Sequence, residues 1–295
     1  VVIRPDDGLE ELKAKVRLAS IIGTLQATLT DFRYLRNSWR RNTEEEALLG
    51  VSLTGIMDHK ILGNVSEAEL EFGPNKHWLQ EMRDVAIETN KVWAGKLGIN
   101  QSAAITCVKP SGTVSQLVNS ASGIHPRYAD FYIRRVRSDN KDPLASFMSN
   151  RGFPVEPDVM SPQSLVFSFP VKAPKTSTSA NEVTAIDQLE LWKVYQNQWC
   201  EHKPSITVYY RDDEFLEVAQ WIWDNFDLCS GIALLPYSDH VYQQAPYEQI
   251  TEEKYEELLA QMPKDVDWTE LEEFETEDNT TGSQELACVG GACEL

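Results

Sequence analysis

A chain of 295 residues is long enough for one large domain or two ordinary ones, and its 42% hydrophobic and 25% charged residues suit a globular fold with a sizeable core. The net charge of −19 argues against a nucleic-acid surface, which needs clustered Lys and Arg facing phosphates. No apolar run approaches the roughly 18 residues of a membrane span and no signal-peptide pattern opens the chain, so neither nucleic acid nor membrane is an expected partner.

The acidity is uneven. Between Thr251 and Gly290 there are 13 acidic residues against two lysines, a net of −11, so the rest of the chain is only mildly acidic and can hold a local anion site. Of the five cysteines, Cys107, Cys200 and Cys229 stand singly in apolar surroundings. That usage suits a reducing cytoplasm better than a disulfide-stapled secreted fold. The chain opens at Val1 without an initiator Met and runs into a charged helix, which points to a piece of something longer.

Apolar residues at three- and four-residue steps (Leu12, Val16, Leu18, Ala19, Ile22, Leu25, Leu29) predict a long helix over Leu9–Leu35. Thr43 with Glu46 three residues on makes a capping box and predicts a second helix running toward His59. Residues 67–97 predict more helix, closed by Gly98. The short run Ala103–Val108 predicts a strand that delivers its carboxyl end into a loop, Lys109 to Ser115. Further strands are expected at Ser164–Pro170, Ser205–Tyr210 and Ile232–Pro236, with helices at 184–202 and Phe215–Phe226. Strands alternating with helices imply an α/β fold with mostly parallel strands and crossover helices. Tyr255–Met262 predicts a last amphipathic helix. Asp265–Gln284, acidic and poor in periodic apolar residues, predicts a mobile linker.

Two stretches carry chemistry. In Lys109-Pro110-Ser111-Gly112-Thr113-Val114-Ser115 a glycine and three hydroxyls at the end of a strand can wrap anionic oxygens with N–H and O–H donors. The spacing is not that of a Walker loop, and Pro110 equally suits a plain turn. Cys288-Val289-Gly290-Gly291-Ala292-Cys293 sets two cysteines around a Gly-Gly pair that frees the backbone to bring the sulfurs together. Zinc would need about four ligands, and no third Cys or His lies near, so no metal is expected. Cys107, Cys200 and Cys229 are taken as small buried hydrophobes. Tyr209-Tyr210 lies in a predicted strand. His125 either faces a ligand or bonds backbone, and Arg127, Arg134, Arg135 and Arg137 divide between packing ion pairs and anion attraction.

Lys109–Gln116, Asn119-Ser120-Ala121-Ser122-Gly123-Ile124-His125-Pro126-Arg127 and Tyr132-Ile133-Arg134-Arg135-Val136-Arg137 resemble the substrate-phosphate loop of ribonucleotide reductases and its continuation. Thr28–Arg33, Gly50–Asp58 and Pro236–His240 are similar to the same family. The form of the 125–127 and 132–135 stretches resembles the adenosylcobalamin-dependent class most closely. The resemblance implies a ten-stranded α/β barrel of two parallel half-barrels, with residues 1–255 as the second half and 256–295 as an acidic flexible tail. It also implies a ribonucleoside tri- or diphosphate substrate, adenosylcobalamin as cofactor, and reduction by thiyl-radical chemistry. Lys109, Pro110, Ser111, Gly112, Thr113 and Ser115 would bind substrate phosphates, with His125 near substrate or cofactor. Cys288 and Cys293 would relay electrons from a thioredoxin-type reductant. The radical cysteine would lie in a missing amino-terminal half of the same polypeptide, leaving this portion inactive by itself. Two alternatives are a fragment of an iron-dependent reductase large subunit, and a non-catalytic phosphate-binding module with a redox-sensing tail.

Overall fold

The computed structural model describes residues 1–63, 76–237, 242–275, 288–289 and 292–293. The chain divides into two compact units: Val1–Arg127 with Thr176–Tyr237, and Tyr128–Lys175 with the described residues from 242 onward.

The first unit is mixed α/β. Its helices are α1 (Leu9–Gln26), α2 (Asn37–Glu46), α3 (Lys76–Leu97), the single turn α4 (Val114–Leu117), α6 (Ala185–Gln198) and α7 (Phe215–Asp224). Strand β1 (Val51–Ser52) pairs in parallel with β2 (Thr106–Cys107), and β6 (Ser205–Tyr210) pairs in parallel with β7 (Gly231–Pro236). Single contacts extend the run. Val2 bridges Thr54 in parallel, and the Ser205 N–H donates to the Val108 carbonyl at 3.0 Å. Five extended segments therefore follow one another in sequence order. Ile3, Leu53, Ile56, Val108, Ile206 and Val208 bury their side chains in one apolar core with Leu12, Met82, Trp192 and Trp199 from the helices.

Several expectations are corrected here. Helix α1 ends at Gln26, and beyond Val16 it buries Ser20 and Thr24 while leaving Leu18, Ile22 and Leu25 exposed. The two hydroxyls bond back to carbonyls one turn earlier, at 2.8 and 2.7 Å, and Asn90 of α3 donates to Thr24 at 3.0 Å. Past Val16, small polar side chains thus take the buried positions of α1 in place of the periodic Leu18, Ile22 and Leu25. Thr43 starts no helix: it lies in the last turns of α2, which ends where Ala47 takes φ 45°. Residues 51–58 form a strand and a 3-10 turn instead of helix. α3 stops at Leu97 as expected, while residues 67–75 lie outside the described residues. α6 starts on a real capping box, Thr184 with Asp187.

The second unit is antiparallel, against the expectation of mostly parallel strands. Strand β3 (Phe131–Asp139) pairs along its whole length with β5 (Ser164–Lys172), β8 (Tyr247–Gln249) flanks β3, and β4 (Val155–Pro157) flanks β5. Helix α5 (Pro143–Asn150) and helix α8 (Glu252–Gln261) complete the unit. The linker expected over Asp265–Gln284 is contradicted as far as residue 275, and residues 276–284 lie outside the described residues. Trp268 of a 3-10 turn, Trp268–Glu273, and Phe274 pack tilted and edge-on against fully buried Phe147, with centroids at 5.4 and 5.5 Å, and Arg151 pairs with Glu270. Among the described residues the sheets have two or four strands, and no closed ten-stranded barrel is present.

Candidate functional site

β2 hands the chain directly to the loop. The Lys109 N–H donates to Ser52 Oγ at 3.0 Å, and Lys109 Nζ donates to the Lys203 carbonyl (2.8 Å) and to Ser205 Oγ (3.0 Å). With two of its three N–H bonds committed, Lys109 is a strut between β2 and β6 rather than a free cation. The Ser111 N–H donates to Ser122 Oγ at 3.0 Å. Ser115 is fully buried, and its hydroxyl makes a short bond back to the Ser111 carbonyl, so its place is inside the turn. By contrast, the amides of Gly112, Thr113 and Val114 bond to no other described residue, and the exposed Thr113 side chain caps nothing. Among the described residues, three successive N–H groups and one hydroxyl are thus left to receive an anion. Pro110, lacking an N–H, offers only its fixed φ.

The return segment, residues 119–127, backs this loop. Gly123 has φ +55°, and a Cβ there would stand 2.9 Å from the Lys109 carbonyl oxygen, so a side chain is excluded by backbone shape and by space. Thr54 Oγ1 accepts the Gly123 N–H (3.0 Å), donates to the Ala121 carbonyl (2.9 Å) and lies 2.9 Å from Ser111 Oγ. Below it, Arg127 and Asp58 form an ion pair with both side chains 2% exposed. Nε meets Oδ1 at 2.8 Å and Nη2 meets Oδ2 at 2.7 Å. Arg127 also reaches the Asn119 side chain and carbonyl, and Asp58 accepts the Ala121 N–H at 2.9 Å.

His125 resolves to the backbone-bonded option. Its Nε2 accepts the Thr207 N–H at 3.0 Å, which leaves the proton on Nδ1 to donate to the Ser122 carbonyl at 2.9 Å. Both ring nitrogens are used, so His125 ties the return segment to β6 and has none left for a ligand. Burial pushes its pKa below the usual value, opposed by the bond to Ser122.

The remaining candidates sort by burial. Desolvation raises the thiols of Cys107, Cys200 and Cys229 above their usual range, which keeps them protonated and unreactive at neutral pH. Tyr209 is raised by the same cause. The arginines of β3 are structural: Arg137 pairs with Asp158, Arg135 with Glu248, and Arg134 lies over the Tyr247 ring at 4.6 Å. In the tail, β9 (Cys288–Val289) and β10 (Ala292–Cys293) pair antiparallel with Cys288 opposite Cys293. Directly opposed positions have Cα atoms about 4.5–5.5 Å apart, inside the roughly 4.4–6.8 Å that a disulfide spans. Among the described residues no cluster of three or more His, Cys, Asp or Glu side chains is placed to hold a metal, and no helix is long and apolar enough to cross a membrane.

The chain is 28% identical over 282 residues to the adenosylcobalamin-dependent ribonucleoside-triphosphate reductase of Lactobacillus acidophilus, covering 87% of this chain and 37% of that one. It is 31% identical over 234 residues to the enzyme of the same name from Euglena gracilis, covering 77% of this chain and 31% of that one. A solved B12-dependent (class II) ribonucleotide reductase superposes with a TM-score of 0.75 at 23% identity, over 92% of this chain and 40% of that one. The chain is a homologue of the adenosylcobalamin-dependent ribonucleotide reductases. No family model matches it. It spans less than two-fifths of the length of these relatives, and the reductase fold is shared across nearly all of what is present. Relatives of the cobalamin class do not favour the iron-dependent alternative.

Ser52, Thr54, Asp58 and Asn119, which hold the 109–115 loop from behind, lie in stretches the sequence marks only by resemblance, and sequence reasoning gave none of them a role. Their one local signal is Asp58, a carboxylate directly after the apolar pair Ile56-Met57, where it is costly unless paired.

Proposed function

We propose that this chain is the carboxy-terminal portion of an adenosylcobalamin-dependent ribonucleotide reductase, in which the 109–115 loop holds the substrate's phosphates. The carrying observation is the row of amides at Gly112, Thr113 and Val114, without a partner among the described residues, beside the exposed Thr113 hydroxyl. Successive donors on a short loop held by a lysine strut and a buried ion pair suit a polyanion. The relatives act on ribonucleoside triphosphates by name, and that substrate class is assigned to the parent polypeptide here.

Starting the radical reaction is the chemistry that adenosylcobalamin supplies when bound. One described cavity and two described histidines do not fit it. That cavity, of about 380 Å3 and lined by Ser38, Trp39, Asn42, Thr43, Glu46 and Leu48, lies at the low end of the roughly 300–1,000 Å3 of ordinary ligand pockets and is too small to enclose a corrinoid. His59 and His125 spend their ring nitrogens on backbone groups. The cofactor and the radical cysteine are therefore assigned to the rest of the parent polypeptide, and this portion by itself reduces nothing.

Cys288 and Cys293 are proposed as the electron relay. A thiolate of the pair attacks the disulfide left by substrate reduction, a mixed disulfide forms, and the second cysteine resolves it. Two electrons and two protons pass inward while Cys288 and Cys293 become a disulfide, which a thioredoxin-type dithiol then reduces. The register that opposes the two residues supports this reading.

The test is kinetic. Hydrogen bonds to charged groups contribute about 1.5–3 kcal/mol each, so Ser111→Ala or Thr113→Ala in the parent raises KM roughly tenfold or more. Unchanged KM values for both variants would mean that the loop is only a turn.

A further inference from the structure

Thr54 is 7% exposed, so it reaches a bound phosphate only through another group. Its hydroxyl and that of Ser111 share one hydrogen bond of 2.9 Å, in which either oxygen can be the donor. Each hydroxyl has a single proton, and this gives the pair two states. In the first, Thr54 donates to the Ala121 carbonyl and Ser111 must donate to Thr54. Ser111 then presents only lone pairs to anything else, and lone pairs repel an anion. In the second, Thr54 donates to Ser111, and the Ser111 proton is released to point at a phosphate oxygen. The Ala121 carbonyl is not orphaned by the change, because it still receives the Gly55 N–H at 2.8 Å. The Gly123 N–H keeps its bond to the Thr54 oxygen in both states.

We propose that Thr54 is a positioning residue for the phosphate site, turning Ser111 from a donor spent inside the protein into a donor for the substrate. The proposal rests on the phosphate-loop reading above and adds a residue from outside that loop, on the segment that follows β1. Gly55, with φ +83° and only 2.5 Å between a built Cβ and the Ile3 carbonyl oxygen, fixes the turn that presents Thr54 to Ser111.

The experiment is a double-mutant cycle in the full-length parent, reading KM and kcat for a ribonucleoside triphosphate. Thr54→Val removes the hydroxyl at nearly constant volume, and Thr54→Ser keeps it. Thr54→Val is expected to raise KM by about three- to fivefold with kcat within about twofold, since Ser111 keeps its proton but loses the donor that turns that proton toward the substrate and strengthens its bond. Thr54→Ser stays near wild type. In a Ser111→Ala background, Thr54→Val raises KM no further, because its effect passes through Ser111. If the Val variant does not fold, Thr54→Cys, whose thiol is a weak donor, runs the same cycle with the same expectations. Additive KM effects, or an unchanged KM for Thr54→Val, overturn the relay while leaving the phosphate loop standing. An unchanged KM for both Ser111→Ala and Thr113→Ala removes the loop reading, and the relay with it.

Discussion

Replacing Arg127 by Met tests how the back of the loop is held. The guanidinium meets Asp58 through two bonds of 2.8 and 2.7 Å, and both side chains are 2% exposed. Without it, Asp58 keeps the Ala121 N–H at 2.9 Å but no cation, so a carboxylate stays buried and uncompensated. Breaking such a pair from one side costs about 3–5 kcal/mol, a large share of the roughly 5–15 kcal/mol that holds a domain together. Urea unfolding, followed by the fluorescence of Trp192, Trp199 and Trp221 in the same core, reads this as a lower midpoint at an unchanged slope. Burial shields the pair, so added salt leaves the loss nearly unchanged. Asp58→Asn combined with Arg127→Met removes the stranded charge but keeps an acceptor for Ala121, and recovers at least half of the loss. A loss below about 1 kcal/mol for Arg127→Met, or a double variant no better than the single, would show that the charge is not what matters.

Gly123→Ala forces a Cβ into the Lys109 carbonyl at positive φ and is expected to cost at least about 1–2 kcal/mol, together with a raised substrate KM; a midpoint equal to wild type would contradict this. Because burial lowers the His125 pKa, the unfolded chain binds the proton first as pH drops below about 6.5. Stability contributed by His125 is therefore full above that pH and lost below it, and the melting-temperature advantage of wild type over His125→Gln narrows between pH 7.5 and pH 5.5. Phe147→Ala empties the site under Trp268 and Phe274 and costs about 3–5 kcal/mol, read by denaturation of the second unit. A Cys288→Ser, Cys293→Ser parent completes about one turnover with thioredoxin and regains rate with dithiothreitol; steady turnover with thioredoxin would exclude the relay.

Local signals were legible where local forces decide. The helix expected from residue 184 starts there because Thr184 and Asp187, a pair the sequence reading passed over, close the reciprocal bonds of a capping box within four residues. The same pattern at Thr43 misled, because the helix was already running and Ala47 turns left-handed three residues after Glu44. β6 and β7 were visible as short apolar runs. β3 was not, since Arg134, Arg135 and Arg137 hide its alternation and its partner β5 pairs from a distance in sequence. At the site, the hydroxyls of the loop were in plain view. What decides their use, Thr54 and the Asp58–Arg127 pair, lies some 57 to 69 residues away from its partners, beyond the reach of any window.

The first unit is interrupted in sequence but not in space. Its chain leaves after Arg127 and comes back at Thr176, and the two ends are stitched together. The Arg127 N–H donates to the Thr178 carbonyl at 3.0 Å, and the Ala180 N–H returns to the Arg127 carbonyl at 2.7 Å. An excursion that departs and arrives at one place can change in length without pulling on its host. Residues 128–175 can thus lengthen or shorten between their elements without pulling on the first unit, so long as β3 keeps its pairing with β8 and Phe147 its contacts with Trp268 and Phe274.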